Sequence, residues 1–382
     1  MRKTLVPKAS PPSAALGVLR SEVRTFLRQQ REDGLFTPRS DSWGDGWAPD
    51  FTKALADRGW VGMTIPEQYG GPGRSFVERF VVTEELLAAG APVSAHWVAD
   101  RQAGPSLLKV GTEEQKARYL PAIVRGELFF AIGMSEPGSG SDLASVRTNA
   151  VRTDGGWRVS GTKLWTSGAH RAHLVFVLAR SSPLDSAHRH SGLSQFIVEL
   201  DAPGVEIRPI FNMSGAHHFN EVVLENVFVP DGQVLGEVGS GWQQVTSELG
   251  FERSGAERFL STFALLAEAT DEMADESLPR DARLGGIVAR MSALHNMSFA
   301  VSQALERGDN AETAASLVKL VGTKFEGDIA EFVDDLNPAE AQHDPEFDTL
   351  LRSSLMNRPG FTIRGGTTEI MRGVVARGLG MR

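Results

Sequence analysis

Residues Ile132 to Asp142 read IGMSEPGSGSD, and further along the chain comes Leu164-Trp165-Thr166-Ser167-Gly168. Ser135 and Ser141 offer hydroxyls and Pro137 fixes a turn. Gly138 and Gly140 let backbone N–H groups come close to a ligand such as a pyrophosphate. A Gly/Ser/Pro turn is by itself an ordinary surface loop, because those residues dominate turns for conformational reasons. The surroundings decide its reading: both stretches lie among short β-rich runs, and those runs are flanked by helical pattern on either side.

From about Leu128 to Val238 the hydrophobic period is close to two. WRVSG, HLVFVLA, LSQFIVEL, VEIRPI and EVVLENVFV are short runs bounded by Gly, Pro, Asp and Ser, which predicts a small antiparallel β unit. Upstream, from about Ala14 to Arg125, Leu16, Leu19, Val23 and Leu27 recur at helical steps. Breakers at Pro49, Gly59, Pro66, Gly70-Gly71-Pro72 and Gly111 divide that region, and PEQYGGPG reads as one exposed loop. After Gly241 helices return, and Leu317, Leu320, Val321, Phe325, Ile329 and Phe332 trace one apolar stripe for a bundle. Asn337 to Asp348 fits neither period and is left irregular. The expected organisation is α+β: an N-terminal helical domain over 1–127, a β domain over 128–238 and a C-terminal helical bundle over 239–382.

A chain of 382 residues is long enough for two or three units sharing a substantial core. With 39 basic and 48 acidic residues the net charge is −9, which argues against nucleic acid and against an anionic membrane surface as partners. With no cysteine there is no disulfide, thiolate ligand or thiol nucleophile, so any redox chemistry sits on a bound cofactor. The opening MRKTLVPKASPPSAALG lacks the apolar core of a secretory signal and reads as a disordered lead-in. No apolar run approaches the roughly 18 residues of a membrane span, so a soluble cytoplasmic protein is expected. His217 and His218 in GAHHFN lack ligand spacing and suit a turn before a strand, so no metal is assigned.

The order SEPGSGSD, GTKLWTSG, FERSG and IRGGTTEIMR resembles the acyl-CoA dehydrogenase family along nearly the whole chain. The resemblance implies an acyl-CoA dehydrogenase-like fold that binds FAD and an acyl-CoA, and passes electrons to an electron-transfer flavoprotein. It places flavin contacts at Ile132, Met134, Ser135, Gly140, Ser141, Trp165, Thr166 and Ser167, with Thr367 and Glu369 toward the adenine end. Trp165 is the residue that would pack along the ring, set against the commoner fate of a half-buried strand aromatic. Most members carry the catalytic carboxylate in Tyr-Glu-Gly-Thr near the C-terminus. Here that segment is Arg364-Gly365-Gly366-Thr367, so the usual base position is Gly365, which keeps only a backbone N–H to polarise the thioester carbonyl. Isovaleryl- and long-chain-type members place the base just after the β unit, which maps onto Glu252 in Gly250-Phe251-Glu252-Arg253-Ser254. An arbitrary Glu beside an Arg is usually a solvated helix pair; loss at Gly365 together with gain at Glu252 favours catalysis. Arg253 then matches a CoA contact, while Ser141, Arg364, Gly365 and Gly366 complete the expected substrate set.

Homotetrameric members complete each flavin site with Arg-x-x-Phe-Gly and Gln-x-x-Gly-Gly from a neighbouring subunit. Neither is recognisable in SLPRDARLGGIVAR or in NPAEAQHD, and Glu369 replaces a common Gln. The pattern resembles bacterial members built from two different subunits, some of which act on bulky sterol-side-chain thioesters; the alternative is that other residues replace the lost motifs, so the expected assembly is a homo-oligomer or a hetero-oligomer with a related subunit. Two alternatives use the same scaffold: a non-catalytic partner subunit, and a flavin monooxygenase or nitroalkane-type oxidase.

Overall fold

A computed structural model describes residues 6–252, 255–275, 278–337 and 343–381, without the side chains of 248–252. The chain packs into two compact units, each discontinuous in sequence. Met1–Trp47, Arg74–Ser94 and Gly250–Arg382 form a helical unit, and Ala48–Gly73 with Ala95–Leu249 form a unit around a sheet. The first helices are α1 (Ala14–Glu32), α2 (Ser42–Asp45), α3 (Pro49–Ala56), α4 (Phe76–Ala88), α5 (Ser94–Val98), α6 (Gly104–Val110) and α7 (Glu113–Val124). The strands are β1 (Phe130–Gly133), β2 (Asn149–Thr153), β3 (Gly156–Lys163), β4 (Leu174–Arg180), β5 (Leu193–Glu199), β6 (Val205–Phe211), β7 (His217–Pro230) and β8 (Val234–Leu235). Then follow α8 (Gly241–Glu252), α9 (Phe263–Ala274), α10 (Arg283–Glu306), α11 (Glu312–Leu336), α12 (Pro345–Phe361) and α13 (Thr368–Gly378).

In the sheet unit the strands run in the order β6-β7-β3-β2-β4-β5-β8. Most pairs are antiparallel, as the pattern predicts, but β1 lies parallel to β4 with Ile132 opposite Phe176, and β2 also meets β4 in parallel at Asn149 and Arg180. That strand is four residues long and shows no alternation, which is why its sequence does not announce it. β4 is buried at every position. Val175, Val177 and Ala179 pack with Trp157, Val159 and Val222, while Leu174 and Phe176 meet Phe130, Leu107 of α6 and Leu120 of α7. Burial on both faces explains why HLVFVLA is a continuous apolar run rather than an alternating one. PEQYGGPG is not wholly exposed: Tyr69 is buried and its hydroxyl donates to Glu113 Oε2 at 2.6 Å.

In the helical unit α1 buries Leu19, Val23, Phe26 and Leu27 and packs on α4. Ser13 caps it, its Oγ accepting from Leu16 N, so Ala14–Gly17 are helical rather than part of a disordered lead-in. The irregular reading of Asn337–Asp348 also needs correction at its end. Asp344 caps α12 and Pro345 occupies its first position, where a missing N–H costs nothing. The stripe on α11 is only partly right, since Phe325, Ile329 and Phe332 are buried but Val321 is 40% exposed. The buried face instead includes Val318, Lys319, Gly322, Thr323 and Glu326. Two charged residues therefore lie inside the packed surface of α11.

Candidate functional site

In the sheet unit, the loop after β1 and the loop after β3 are held together by a buried ion pair. Lys163 ends β3 with no exposed side-chain surface, and its Nζ donates to Glu136 Oε1 at 2.8 Å and to Met134 O at 3.2 Å. The Glu136 carboxylate also accepts from Arg147 N at 2.6 Å and Thr148 N at 2.9 Å. Burial pushes the Lys163 pKa down to about 8 despite the neighbouring carboxylate. At Glu136 burial acts upward, but Lys163 and the N–H donors outweigh it and hold the carboxyl below its usual range. Leu164 N donates to Ser135 O at 2.8 Å, so the two motifs are laced at backbone level too.

The tip of each loop is open. A side chain at Gly138 or Gly140 would meet nothing within 4 Å, so no packing demands glycine at either position. Trp165 is 57% exposed with φ +60°, a left-handed conformation that is uncommon for a bulky residue, and it meets Phe219 edge-on at 5.7 Å. It is thus a presented loop aromatic, not a half-buried strand residue. Thr166 is fully buried, and its Oγ1 has no hydrogen-bond partner although its backbone is fixed on both sides by Asn220. Ile132, Met134, Ser135 and Ser167 are half-buried, and Gly140 and Ser141 are exposed. An orphaned buried hydroxyl, a presented indole and an open Gly/Ser turn fit a ligand that carries a planar ring and phosphates, as FAD does. His217 and His218 open β7 itself rather than a preceding turn; His217 stacks on His170 at 3.8 Å and meets Asn220 Oδ1 at 2.8 Å.

In the helical unit, Arg364-Gly365-Gly366-Thr367 joins α12 to α13. Gly365 (φ +67°) and Gly366 (φ +95°) are both left-handed, which favours glycine at each position. Among the described residues neither of their N–H groups has a hydrogen-bond partner. The guanidinium of Arg364 turns inward: it donates to the Asp41 carboxylate, to Ser261 Oγ at 2.8 Å and to Glu326 Oε2 at 3.3 Å. It also stacks over Trp43 at 4.3 Å. Both Nη groups are thus turned to internal partners, while the buried Nε has none among the described residues; the resemblance puts Arg364 in the substrate set. Glu326 is fully buried and accepts from Ser261 N at 2.9 Å; burial raises its pKa and Arg364 only partly opposes this. The carbonyl of Gly366 accepts from Nζ of the fully buried Lys319. Thr367 caps α13 with its side chain, and Glu369 is exposed in the first turn.

Glu252 is the last residue of α8, but its side chain, like all of Arg253, lies outside the described residues. Sequence reading missed Glu136, Lys163, Lys319 and Glu326. The available signal was a charged residue inside an apolar stripe for the last two, and a Glu at the centre of a Gly/Ser turn for the first.

A β unit that presents an exposed indole and an orphaned hydroxyl on two laced loops, with helices before and after it in the chain, fits a fold that binds a planar-ring ligand on those loops. Family models for the acyl-CoA dehydrogenase N-terminal, middle and C-terminal domains match residues 15–127, 131–227 and 239–380. The chain belongs to the acyl-CoA dehydrogenase family, whose members are flavoproteins. It is 35% identical over 334 residues to the acyl-CoA dehydrogenase FadE34 of Mycobacterium tuberculosis, covering 85% of this chain but 45% of that one, so it spans about half of that relative's length. It is 35% identical over 336 residues to the acyl-CoA dehydrogenase IpdE1 of the same organism, covering 85% and 86% of the two chains. Among solved structures it is similar to the Tcur3481-Tcur3483 steroid ACAD, with a TM-score of 0.85 and 31% identity over 97% of this chain and 99% of that one. The helical, mostly antiparallel β, helical order is thus that of the family, and the enzyme class is acyl-CoA dehydrogenase.

Proposed function

We propose that this protein oxidises an acyl-CoA to its trans-2-enoyl-CoA with Glu252 as base, as one subunit of a heteromer that passes electrons to an electron-transfer flavoprotein. One observation carries the reading: the position of the family's usual carboxylate is a left-handed glycine whose N–H, like that of Gly366, has no partner among the described residues, in a chain that keeps both β-unit motifs. A base must then come from elsewhere, and Glu252 is the carboxylate at the family's alternative position. Glu252 takes the α-proton while the N–H of Gly365 donates to the thioester oxygen, where negative charge builds as that proton leaves. FAD, when bound, supplies the acceptor for the β-hydrogen and its two electrons, which leaves a new carbon–carbon double bond. Ile132, Met134, Ser135, Gly140, Ser141, Trp165, Thr166 and Ser167 hold and cover the ring and pyrophosphate, with Thr367 and Glu369 near the adenine end. Ser141 and Arg253 bind the CoA moiety, and Arg364 shapes the Gly365-Gly366 segment from within.

The similarity to a steroid ACAD supports a bulky thioester substrate. Among the described residues no helix is long and apolar enough to cross a membrane, and we place the enzyme in the cytoplasm, with domain divisions near 127/128 and 238/239. The deciding experiment is anaerobic titration with a panel of straight-chain and sterol-side-chain acyl-CoA thioesters. Glu252→Gln should keep its flavin absorbance and lose bleaching by every substrate that bleaches the native protein. Undiminished bleaching in that variant removes Glu252 from the mechanism.

A further inference from the structure

When the base and the carbonyl donor belong to separate segments, something must set the distance between them. In this chain Glu252 and Gly365 are far apart in sequence, and α11 is a helix that touches both the stretch Arg258–Thr262, which follows Glu252, and the segment bearing Gly365. Its buried face carries Lys319, Gly322 and Glu326, at offsets of three and seven residues, so they stack along one side of the helix over two turns. On one flank that face receives the stretch that follows the base. A side chain on Gly322 would lie 2.2 Å from Arg258 O, Glu326 Oε1 accepts from Ser261 N at 2.9 Å, and Thr262 Oγ1 donates to Glu326 O at 3.1 Å. On the other flank it grips Arg364–Gly366 at both ends, Glu326 through the Arg364 guanidinium and Lys319 through the Gly366 carbonyl.

A buried ammonium and a buried carboxylate are costly to desolvate, and hydrophobic residues would fill the same helix face at least as stably. Their use here secures backbone geometry: Lys319 orients the Gly366 peptide, and Arg364 anchors the residue before Gly365, so the Gly365 N–H is held from both sides.

We infer that Lys319 and Glu326 are positioning residues that set the Gly365 N–H against the thioester carbonyl and hold it in register with the Arg258–Thr262 stretch that follows Glu252. This rests on the proposed function, and specifically on Gly365 as carbonyl donor. The test uses the FAD-loaded protein, with its partner subunit if flavin loading requires one, and (2-furyl)acryloyl-CoA as probe. The absorbance of that chromophore moves to longer wavelength when its carbonyl is polarised. Native protein should red-shift the probe. Lys319→Met and Glu326→Gln should bind it with flavin content within about twofold of native, lose most of the red shift, and lower kcat at least tenfold with a smaller change in KM, as displacement by about 1 Å implies. A native red shift that persists in both variants overturns the inference while leaving Gly365 as donor. No red shift in the native protein overturns Gly365 as donor and the inference with it. If Lys319→Met does not fold, Glu326→Gln decides alone, since its amide oxygen can still accept from Ser261 N.

Discussion

Lys163 and Glu136 show what a buried charge does for a loop that must stay open. Gly138 and Gly140 at the first loop's tip pack on nothing, and that loop is held from below by one ammonium shared by a carboxylate and the Met134 carbonyl. Removing one partner of a buried pair costs about 3–5 kcal/mol, because the other is left uncompensated. The two halves differ, however. Lys163→Met leaves a carboxylate that keeps two backbone donors, whereas Glu136→Leu leaves a buried ammonium with only the Met134 carbonyl and also orphans the N–H groups of Arg147 and Thr148. Urea unfolding should therefore rank Glu136→Leu below Lys163→Met, and the double variant should recover part of the loss; equal effects would mean that the backbone donors find other partners. Trp165 gives the opposite case. At 57% exposure its truncation should change the stability of the flavin-free protein by less than about 0.5 kcal/mol, yet weaken FAD retention on dilution. A comparable loss of melting temperature with and without flavin would make it a packing residue instead.

Among the elements, α5 and its neighbours carry a pH dependence whose sign can be worked out. His96 is 4% exposed, its Nδ1 lies 2.9 Å from Thr52 Oγ1, and burial pushes its pKa down to about 4 although Asp100 pulls the other way. Between pH 6.5 and 4 the unfolded chain takes up a proton that the folded one refuses, so stability falls as pH falls through that window; above pH 6.5 both states are neutral and nothing is gained. At pH 5 the loss is about 2 kcal/mol. His170, lowered to about 4 by burial first and by His217 second, acts in the same direction. Urea midpoints at pH 7 and pH 5 should thus differ, and His96→Gln should remove part of the difference; an unchanged difference would assign it elsewhere. Elements such as these also mark the limit of what sequence discloses. Local signals were readable: the apolar run of β4, the helical step of α1 and the two loop motifs. The charged face of α11 showed only as charges inside an apolar stripe; what Lys319 and Glu326 do was not readable, because they take their meaning from Gly366, Ser261 and Arg364, none of them within reach of any helical or strand period. β1 escaped for the opposite reason, being too short to show a period at all.

At the scale of the whole molecule, the chain carries both loop motifs proposed for the ring and pyrophosphate but neither the Arg-x-x-Phe-Gly nor the Gln-x-x-Gly-Gly segment. Where the first should stand, α10 begins with Arg283-Leu284-Gly285-Gly286, and the second falls in a stretch that carries no Gln-x-x-Gly-Gly. The helical unit also exposes Val288 (56%), Ile363 (61%) and Ile370 (39%), apolar surface available to a partner. Expressed alone, the protein should retain FAD poorly; co-expressed with a related chain carrying Arg-x-x-Phe-Gly and Gln-x-x-Gly-Gly, it should purify as a flavin-containing heteromer. A ligand bound only by the assembled state stabilises that state by mass action, by about 2.7 kcal/mol at a hundredfold excess over Kd, so added FAD should raise the melting temperature of the complex and leave the lone chain nearly unmoved. Size-exclusion chromatography with absorbance at the flavin band reads both quantities in one run. A homotetramer from the lone chain with one FAD per subunit and full turnover would mean that residues of this chain substitute for both missing segments, and the two-subunit assembly would have to be abandoned.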